Sequence, residues 1–272
     1  MESIVLMMMV KNESENIVST LKPFSMLKNF LIYDTGSTDN TIEVIKDFLP
    51  NSVIIQDIFP SPFDYSQGRN NCLNYARDRF PNVILGIMID AEWYITEDDC
   101  QKLINFCKSK LNDNDDAYFF SVEKEFLNKH NKIIRLKNNF QFIGEIHEYY
   151  NGKAFIDSNI IFKWNPTKSS KEKTVKRILE NDIPIYLKKI ECGTQTSRDI
   201  FYLAQSYQTV DDFINAEKYY KERIELEENT GLVNEEVFIC YYRLGLIYKN
   251  KHHHYHLISI YKNLLTFDNH LQ

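Results

Sequence analysis

Uninterrupted apolar runs at residues 4–10, 30–33, 53–56 and 83–89 alternate with segments whose apolar positions recur every three to four residues. Runs of that kind are strands covered on both faces, and the intervening period is that of amphipathic helices. Helices are predicted at 14–21, 38–48, 65–78 and 97–111, with the clearest start signal at Ser37-Thr38-Asp39. The alternation predicts βαβ units and an open, largely parallel sheet over residues 1–95.

From residue 117 the pattern changes. Aromatic-rich strands are predicted at 118–122, 132–136 and 155–164, separated by polar turns such as Asn128-Lys129-His130-Asn131, so the sheet should extend as a meander or mixed sheet. Asn165-Pro166, followed by Ser169-Ser170-Lys171-Glu172, reads as a boundary, giving an α/β domain over 1–166 and an all-α domain over 167–272. Within the second domain, Leu203-Ala204, Tyr207, Ala216 and Tyr220 recur in kind as Leu244-Gly245, Tyr248, Leu257 and Tyr261. The repeat distance is 41 residues, longer than the tetratricopeptide unit of about 34. Small residues let paired helices approach, and the tyrosines fill the groove between them.

Ligands bind open α/β sheets at the carboxyl ends of their strands. Three polar clusters fall at such ends: Val10-Lys11-Asn12-Glu13, Asp34-Thr35-Gly36-Ser37 and Asp90-Ala91-Glu92. The last places two carboxylates one residue apart just beyond an apolar run, a spacing that suits Mg²⁺ or Mn²⁺ bridged to a diphosphate. As ordinary structure, Asp90 would instead cap the helix beginning near Thr96, Asp34 would cap the turn at Gly36, and Arg69 would form a salt bridge on its own helix face.

Charge narrows the function. Residues 1–165 carry 17 Lys+Arg against 23 Asp+Glu, and the remainder 15 against 15, which argues against a nucleic-acid-binding protein. Five scattered cysteines without a Cys-x-x-Cys spacing indicate neither a disulfide framework nor a zinc ribbon, so a reducing cytoplasm is expected. The opening apolar run is too short to span a membrane and lacks the basic flank of a signal peptide, and no later window is long enough for a span. The run His252-His253-His254-Tyr255-His256 has no carboxylate or cysteine companions and reads as an inter-helix turn, not a metal site.

Taken in order, Val10-Lys11-Asn12-Glu13, Asp34-Thr35-Gly36-Ser37-Thr38-Asp39, Ser66-Gln67-Gly68-Arg69-Asn70 and Asp90-Ala91-Glu92 resemble glycosyltransferase family 2. Arg135-Leu136-Lys137-Asn138 and Phe142-Ile143-Gly144-Glu145-Ile146-His147-Glu148 resemble a segment of its subgroup with C-terminal tetratricopeptide repeats. The resemblance implies a GT-A fold, Rossmann-like with a mixed sheet, followed by a small tetratricopeptide-like helical domain. It implies a nucleotide-sugar donor, most simply a uridine one, held by Val10, Asn12, Glu13, Asp34, Arg69 and Asp90. It further implies a Mn²⁺ or Mg²⁺ ion on Asp90, Glu92 and His147, and Glu148 or, second, Glu145 as the base that takes the acceptor proton with inversion. Glu92 stands where the family usually has Asp, and Trp93, in place of a frequent Glu, is expected as an apolar wall beside the sugar. The acceptor would be a sugar, peptide or lipid hydroxyl, and the repeats would hold a protein partner or a second copy.

Two other readings follow from the same residues. A catalytically degenerate transferase, binding nucleotide or acting as a scaffold through its repeats, is suggested by the Asp-to-Glu change at Glu92. A nucleotidyltransferase would need a glycine- and lysine/arginine-rich triphosphate loop after the first strand, which Val10-Lys11-Asn12-Glu13 does not supply.

Overall fold

Seven consecutive apolar side chains leave Ile4–Val10 no face to give to water, and the segment forms β1, flanked on both sides within a sheet. The computed structural model describes residues 2–59, 63–123, 127–165, 168–228 and 235–250. The chain divides into two compact units, Met1–Ser170 and Lys171–Gln272.

In the first unit β1 pairs in parallel with β2 (Asn29–Asp34) and, on its other side, with β4 (Leu85–Ile89), while β3 (Val53–Gln56) adds outside β2. The strand predicted at 118–122 is β6 (Ala117–Glu123), but β7 (Leu127–Arg135), antiparallel to both β4 and β6, is longer than predicted. Asn128-Lys129-His130-Asn131, expected as a polar turn, lies inside it, because Asn128, Lys129 and His130 pair with Val122, Ser121 and Phe120. The long strand β10 (Ala154–Trp164) lies parallel to β6, and two-residue β5 (Trp93–Tyr94) closes the edge, giving the order β3-β2-β1-β4-β7-β6-β10-β5. The parallel core is the one expected from the alternation of runs, and the antiparallel β7 and β5 make the whole the mixed, Rossmann-like sheet expected beyond residue 117.

Helices α1 (Ile17–Leu21), α2 (Thr41–Phe48) and α4 (Glu97–Ser109) cover one face, burying Ile17, Leu21, Ile45, Leu103 and Ile104 against Leu6, Ile32 and Ile87. The other face is covered by α3 (Tyr65–Arg79), through Cys72, Leu73 and Ala76, and by the small hairpin of β8 (Phe142–Ile143) and β9 (Tyr149–Tyr150). The two-residue strands carry too little periodicity to be seen in sequence. Arg135 is buried because it terminates α4: its guanidinium donates to the carbonyls of Lys110, Leu111 and Asp115 at 2.8–3.1 Å and to the Tyr118 hydroxyl at 3.2 Å. A fixed cation at a helix C-terminus satisfies orphan carbonyls and opposes the helix dipole.

Two details set up the functional edge. The order β2-β1-β4 reverses direction at β1, so the crevice between the ends of β1 and β4 is a topological switch point. In β7, Ile133 pairs with Tyr118 but His130 pairs with Phe120, so Asn131 and Lys132 together face Phe119 in a β-bulge. Both bulge side chains reach the segment around β9: Asn131 Nδ2 donates to the Tyr150 carbonyl at 2.7 Å, and Lys132 Nζ lies 3.6 Å from Glu148.

The second unit is helical throughout its described residues. After α5 (Lys168–Arg177) and a π-helical turn at Ile178–Asp182 come α6 (Ile183–Glu191), α7 (Ser197–Thr209), α8 (Phe213–Glu228) and α9 (Glu235–Asn250). Thr196 and Asp199 form a capping box that starts α7. Ala204 and Ala216 are fully buried, and Tyr207 stacks on Tyr219 with ring centroids 5.6 Å apart. Tyr219, Tyr220 and Tyr248 are buried as packing residues, whereas Tyr242 remains exposed. Leu257, Tyr261 and the His252–His256 run lie outside the described residues. No described helix is long and apolar enough to cross a membrane.

Candidate functional site

Val10 and Asp34 end β1 and β2 as directly paired residues, which brings the first two polar clusters together. Asp34 is buried, and its Oδ1 accepts from the Ser37 backbone N–H at 3.0 Å and from Ser37 Oγ at 2.6 Å, while Gln56 Nε2 donates to Oδ2 at 3.3 Å. The turn at Gly36, whose φ is 105°, is therefore fastened by Asp34, the ordinary structural role weighed from sequence. Asn12 adopts φ 57°, a left-handed conformation that Asn tolerates, and its Oδ1 accepts from the Thr38 and Asp39 backbone N–H groups at 2.7 and 3.3 Å. The Asn12 and Glu13 backbone N–H groups donate to Ser37 Oγ and Thr41 Oγ1 at 2.9 and 2.8 Å. Val10, Asn12, Glu13 and Asp34 thus belong to one cross-linked pair of loops.

On the other side of the switch point stands a buried ion cluster. Asp90, the first residue after β4, accepts from Arg69 Nη2 at 2.8 Å, and Glu148 accepts from Arg69 Nε. Lys132 Nζ lies 3.6 Å from Glu148 Oε1 and 3.9 Å from Asp90 Oδ2, and it sits 4.9 Å above the Trp93 ring. Arg69 and Lys132 are each 5% exposed, while a third of the Asp90 side chain meets solvent. The Arg69 guanidinium lies 5.9 Å from the centre of the Phe142 ring, and Asn70 holds the Phe142 backbone through both its N–H and C=O at 2.7 and 2.9 Å. The 142–150 segment is further tied to α3 by the Tyr65 N–H, which donates to the Glu145 carbonyl at 2.9 Å.

The electrostatics follow from this packing. Burial alone would raise the Asp90 and Glu148 carboxyls, but the charges of Arg69 and Lys132 hold both below the ordinary carboxylate range. Burial and the like charge of Arg69 lower the Lys132 ammonium, against the pull of Asp90 and Glu148. Arg69 stays charged, and its Nη1 is buried without a hydrogen-bond acceptor.

Several expectations need correction. Asp90 does not cap α4; Thr96 does, its hydroxyl accepting from the Asp99 N–H at 3.1 Å. Trp93 is not a wall beside a ligand but a core residue, 3% exposed and edge-on to Phe120 with centroids 5.6 Å apart. The three side chains expected to hold a divalent cation are not gathered: Asp90 is engaged by Arg69, Glu92 Oε2 accepts from Trp164 Nε1 at 2.9 Å, and His147 is exposed in the turn before β9 with φ 53°. Among the described residues no group of three or more His, Cys, Asp or Glu side chains is disposed to hold a metal ion. The donor set as it stands does not fit a cation. Of the two carboxylates expected as bases, Glu148 lies inside the ion cluster and Glu145 is exposed on the turn after β8.

Lys132 is the site residue that sequence reasoning missed. One signal was available: Lys132 shares a strand face with Ile134, and a charge facing the same buried side as an isoleucine is paired or functional.

The family model of glycosyl transferase family 2 matches residues 6–171. No curated protein sequence matches the chain. Among solved structures, S. aureus TarS residues 1–349 in complex with UDP-GlcNAc is 14% identical, with a TM-score of 0.47, covering 99% of this chain and 92% of that one. The mannosyltransferase PcManGT from Pyrobaculum calidifontis, in complex with GDP-Man and Mn²⁺, is 12% identical, with a TM-score of 0.48, covering 97% and 87%. The match of the family model runs from the middle of β1 to the start of the helical region and takes in every member of the ion cluster, and the chain belongs to glycosyl transferase family 2.

Proposed function

We propose that the protein is an inverting glycosyltransferase that takes a sugar from a nucleoside-diphosphate donor, a uridine one first, and passes it to a hydroxyl acceptor. The observation that carries this reading is the pairing, across the β1/β4 switch point, of the fastened loops at Val10–Glu13 and Asp34–Asp39 with the cluster of Arg69, Lys132, Asp90 and Glu148. In such a transfer the acceptor oxygen attacks the anomeric carbon as the diphosphate leaves, a carboxylate takes the acceptor proton, and charge accumulates on the departing oxygens. Arg69 and Lys132 are the cations that face that charge. Val10, Asn12, Glu13 and Asp34 shape the base and ribose pocket, and the Asp90 carboxylate orients Arg69 at the solvent side. Glu145 is the better base of the two candidates, because Glu148 is engaged by Arg69 and lies 3.6 Å from Lys132, and those charges lower its proton affinity. The helical region, with its tetratricopeptide-like spacing, would hold the acceptor, a protein partner or a second copy.

A screen of UDP-, GDP- and TDP-sugars, each with Mn²⁺, with Mg²⁺ and with EDTA, tests the reading through release of nucleoside diphosphate. Release from one donor class supports it; failure of every donor to bind or to be cleaved overturns it. A degenerate, nucleotide-binding relative is the second reading, favoured by the engagement of Glu92 with Trp164 and by the ungathered ligand set. Binding without turnover in all arms would select it.

A further inference from the structure

In the Arg69–Lys132–Asp90–Glu148 cluster two cations face two carboxylates, yet some of the donors are left without an acceptor. Arg69 commits Nη2 to Asp90 and Nε to Glu148, which leaves Nη1 buried with no acceptor. Lys132 has three protons to donate, yet its distances to the two carboxylates, 3.6 and 3.9 Å, exceed ordinary hydrogen-bond length. A divalent cation entering here would meet Arg69 on Asp90 Oδ1 and Glu148 Oε1 and Lys132 3.9 Å from Asp90 Oδ2, so it would bind against two positive charges already in place. An anion with several oxygens would supply what the cluster lacks, entering past Asp90, the member that meets solvent.

We propose that Arg69 and Lys132 form the clamp for the donor diphosphate, so that nucleotide binding by this chain does not depend on a divalent cation. The inference rests on the donor reading above. Lys132 is placed for the task by the β7 bulge, which turns it and Asn131 toward the segment around β9. Trp93 beneath the ammonium and Glu148 beside it hold a side chain that would otherwise lose rotamer freedom on binding an anion.

The test is calorimetric titration of UDP and of uridine into the full chain, in EDTA and in Mn²⁺, for the wild type, Lys132→Met and Lys132→Arg. The wild-type affinity for UDP should change by less than about fivefold between EDTA and Mn²⁺, whereas loss of one charge-assisted phosphate contact in Lys132→Met should weaken UDP about 10- to 100-fold. Uridine, which has no phosphate, should bind that variant as it binds the wild type, and Lys132→Arg should keep most of the UDP affinity. UDP binding that requires Mn²⁺ overturns this inference while leaving the glycosyltransferase reading intact. Equal losses for uridine and UDP, or no loss for either, also overturn it. Failure of the wild type to bind UDP in either buffer overturns this inference, and if no donor in the screen above is bound or cleaved the donor reading falls with it. The wild-type comparison of EDTA with Mn²⁺ needs no variant, so the inference stays exposed even if Lys132→Met does not fold.

Discussion

The Trp164 indole Nε1 donates to Glu92 Oε2 at 2.9 Å, and the Asn165 N–H donates to the Glu92 carbonyl at 2.8 Å, fastening the two-residue strand β5 to the end of β10. Glu92 is therefore a partner of the sheet edge. Because the side-chain bond is exposed, a double-mutant cycle of Trp164→Phe and Glu92→Ala should give a coupling near the usual net value for a hydrogen bond, about 1 kcal/mol in urea unfolding. Zero coupling would mean the bond contributes nothing in solution.

Arg69→Met removes the guanidinium that two carboxylates share, leaving Glu148 with Lys132 at 3.6 Å as its remaining cationic partner. Breaking a buried ion network from one side is expected to cost about 3–5 kcal/mol, read as a lowered urea midpoint with an unchanged slope. Arg69→Lys should lose less, since it keeps the charge while giving up the forked geometry. A near-neutral Arg69→Met would show that the cluster is open to water in solution.

Acid should act through the same carboxylates. The folded chain holds Asp90 and Glu148 below their ordinary values of 3.8 and 4.5, so their contribution to stability is complete above those values and is lost as pH falls through them toward the lower folded ones. Thermal unfolding followed from about pH 6 down to pH 3 should show a decline that begins below about pH 5. Arg69→Met should flatten that decline, because the depression comes from Arg69 and Lys132; an identical slope in the variant would assign it to other acids.

The cysteines give a separate check on packing. Burial pushes the thiols of Cys72, Cys100, Cys107 and Cys240 up to about 12, whereas Cys192 is exposed at the end of α6. A thiol reagent at pH 8 should therefore modify Cys192 quickly and the other four only on unfolding, which mass mapping after brief labelling would show. Rapid labelling of Cys72 would mean that α3 opens from the sheet.

Much of the sheet was legible because buried parallel strands announce themselves: β1 and β3 have the bounds their apolar runs predict, and α3 ends one residue beyond its expected limit. The three polar clusters at strand ends were legible for the same reason, since strand direction fixes which loops share an edge. What periodicity does not carry is pairing between distant positions. Arg69 meets Asp90 from 21 residues away and Glu148 from 79, and nothing local to any of the three announces the other two. Asp90-Ala91-Glu92 was open to a cation by its spacing alone; the arrival of Arg69 from α3 and of Trp164 from β10 changes what its carboxylates face. The strands β5, β8 and β9, two residues each, arise from tertiary contacts and carry no pattern of their own.

The extra residue in β7 has an implication for descent. Because Asn131 and Lys132 share the place opposite Phe119, a single-codon deletion there would restore regular pairing and withdraw one polar side chain from the β9 side, whatever amino acids remained. Relatives that keep this ammonium must then preserve the length of the strand as well as the identity of the lysine. An aligned lysine in a homologue lacking the added residue would point elsewhere, and its owner would have to find its positive charge by another route.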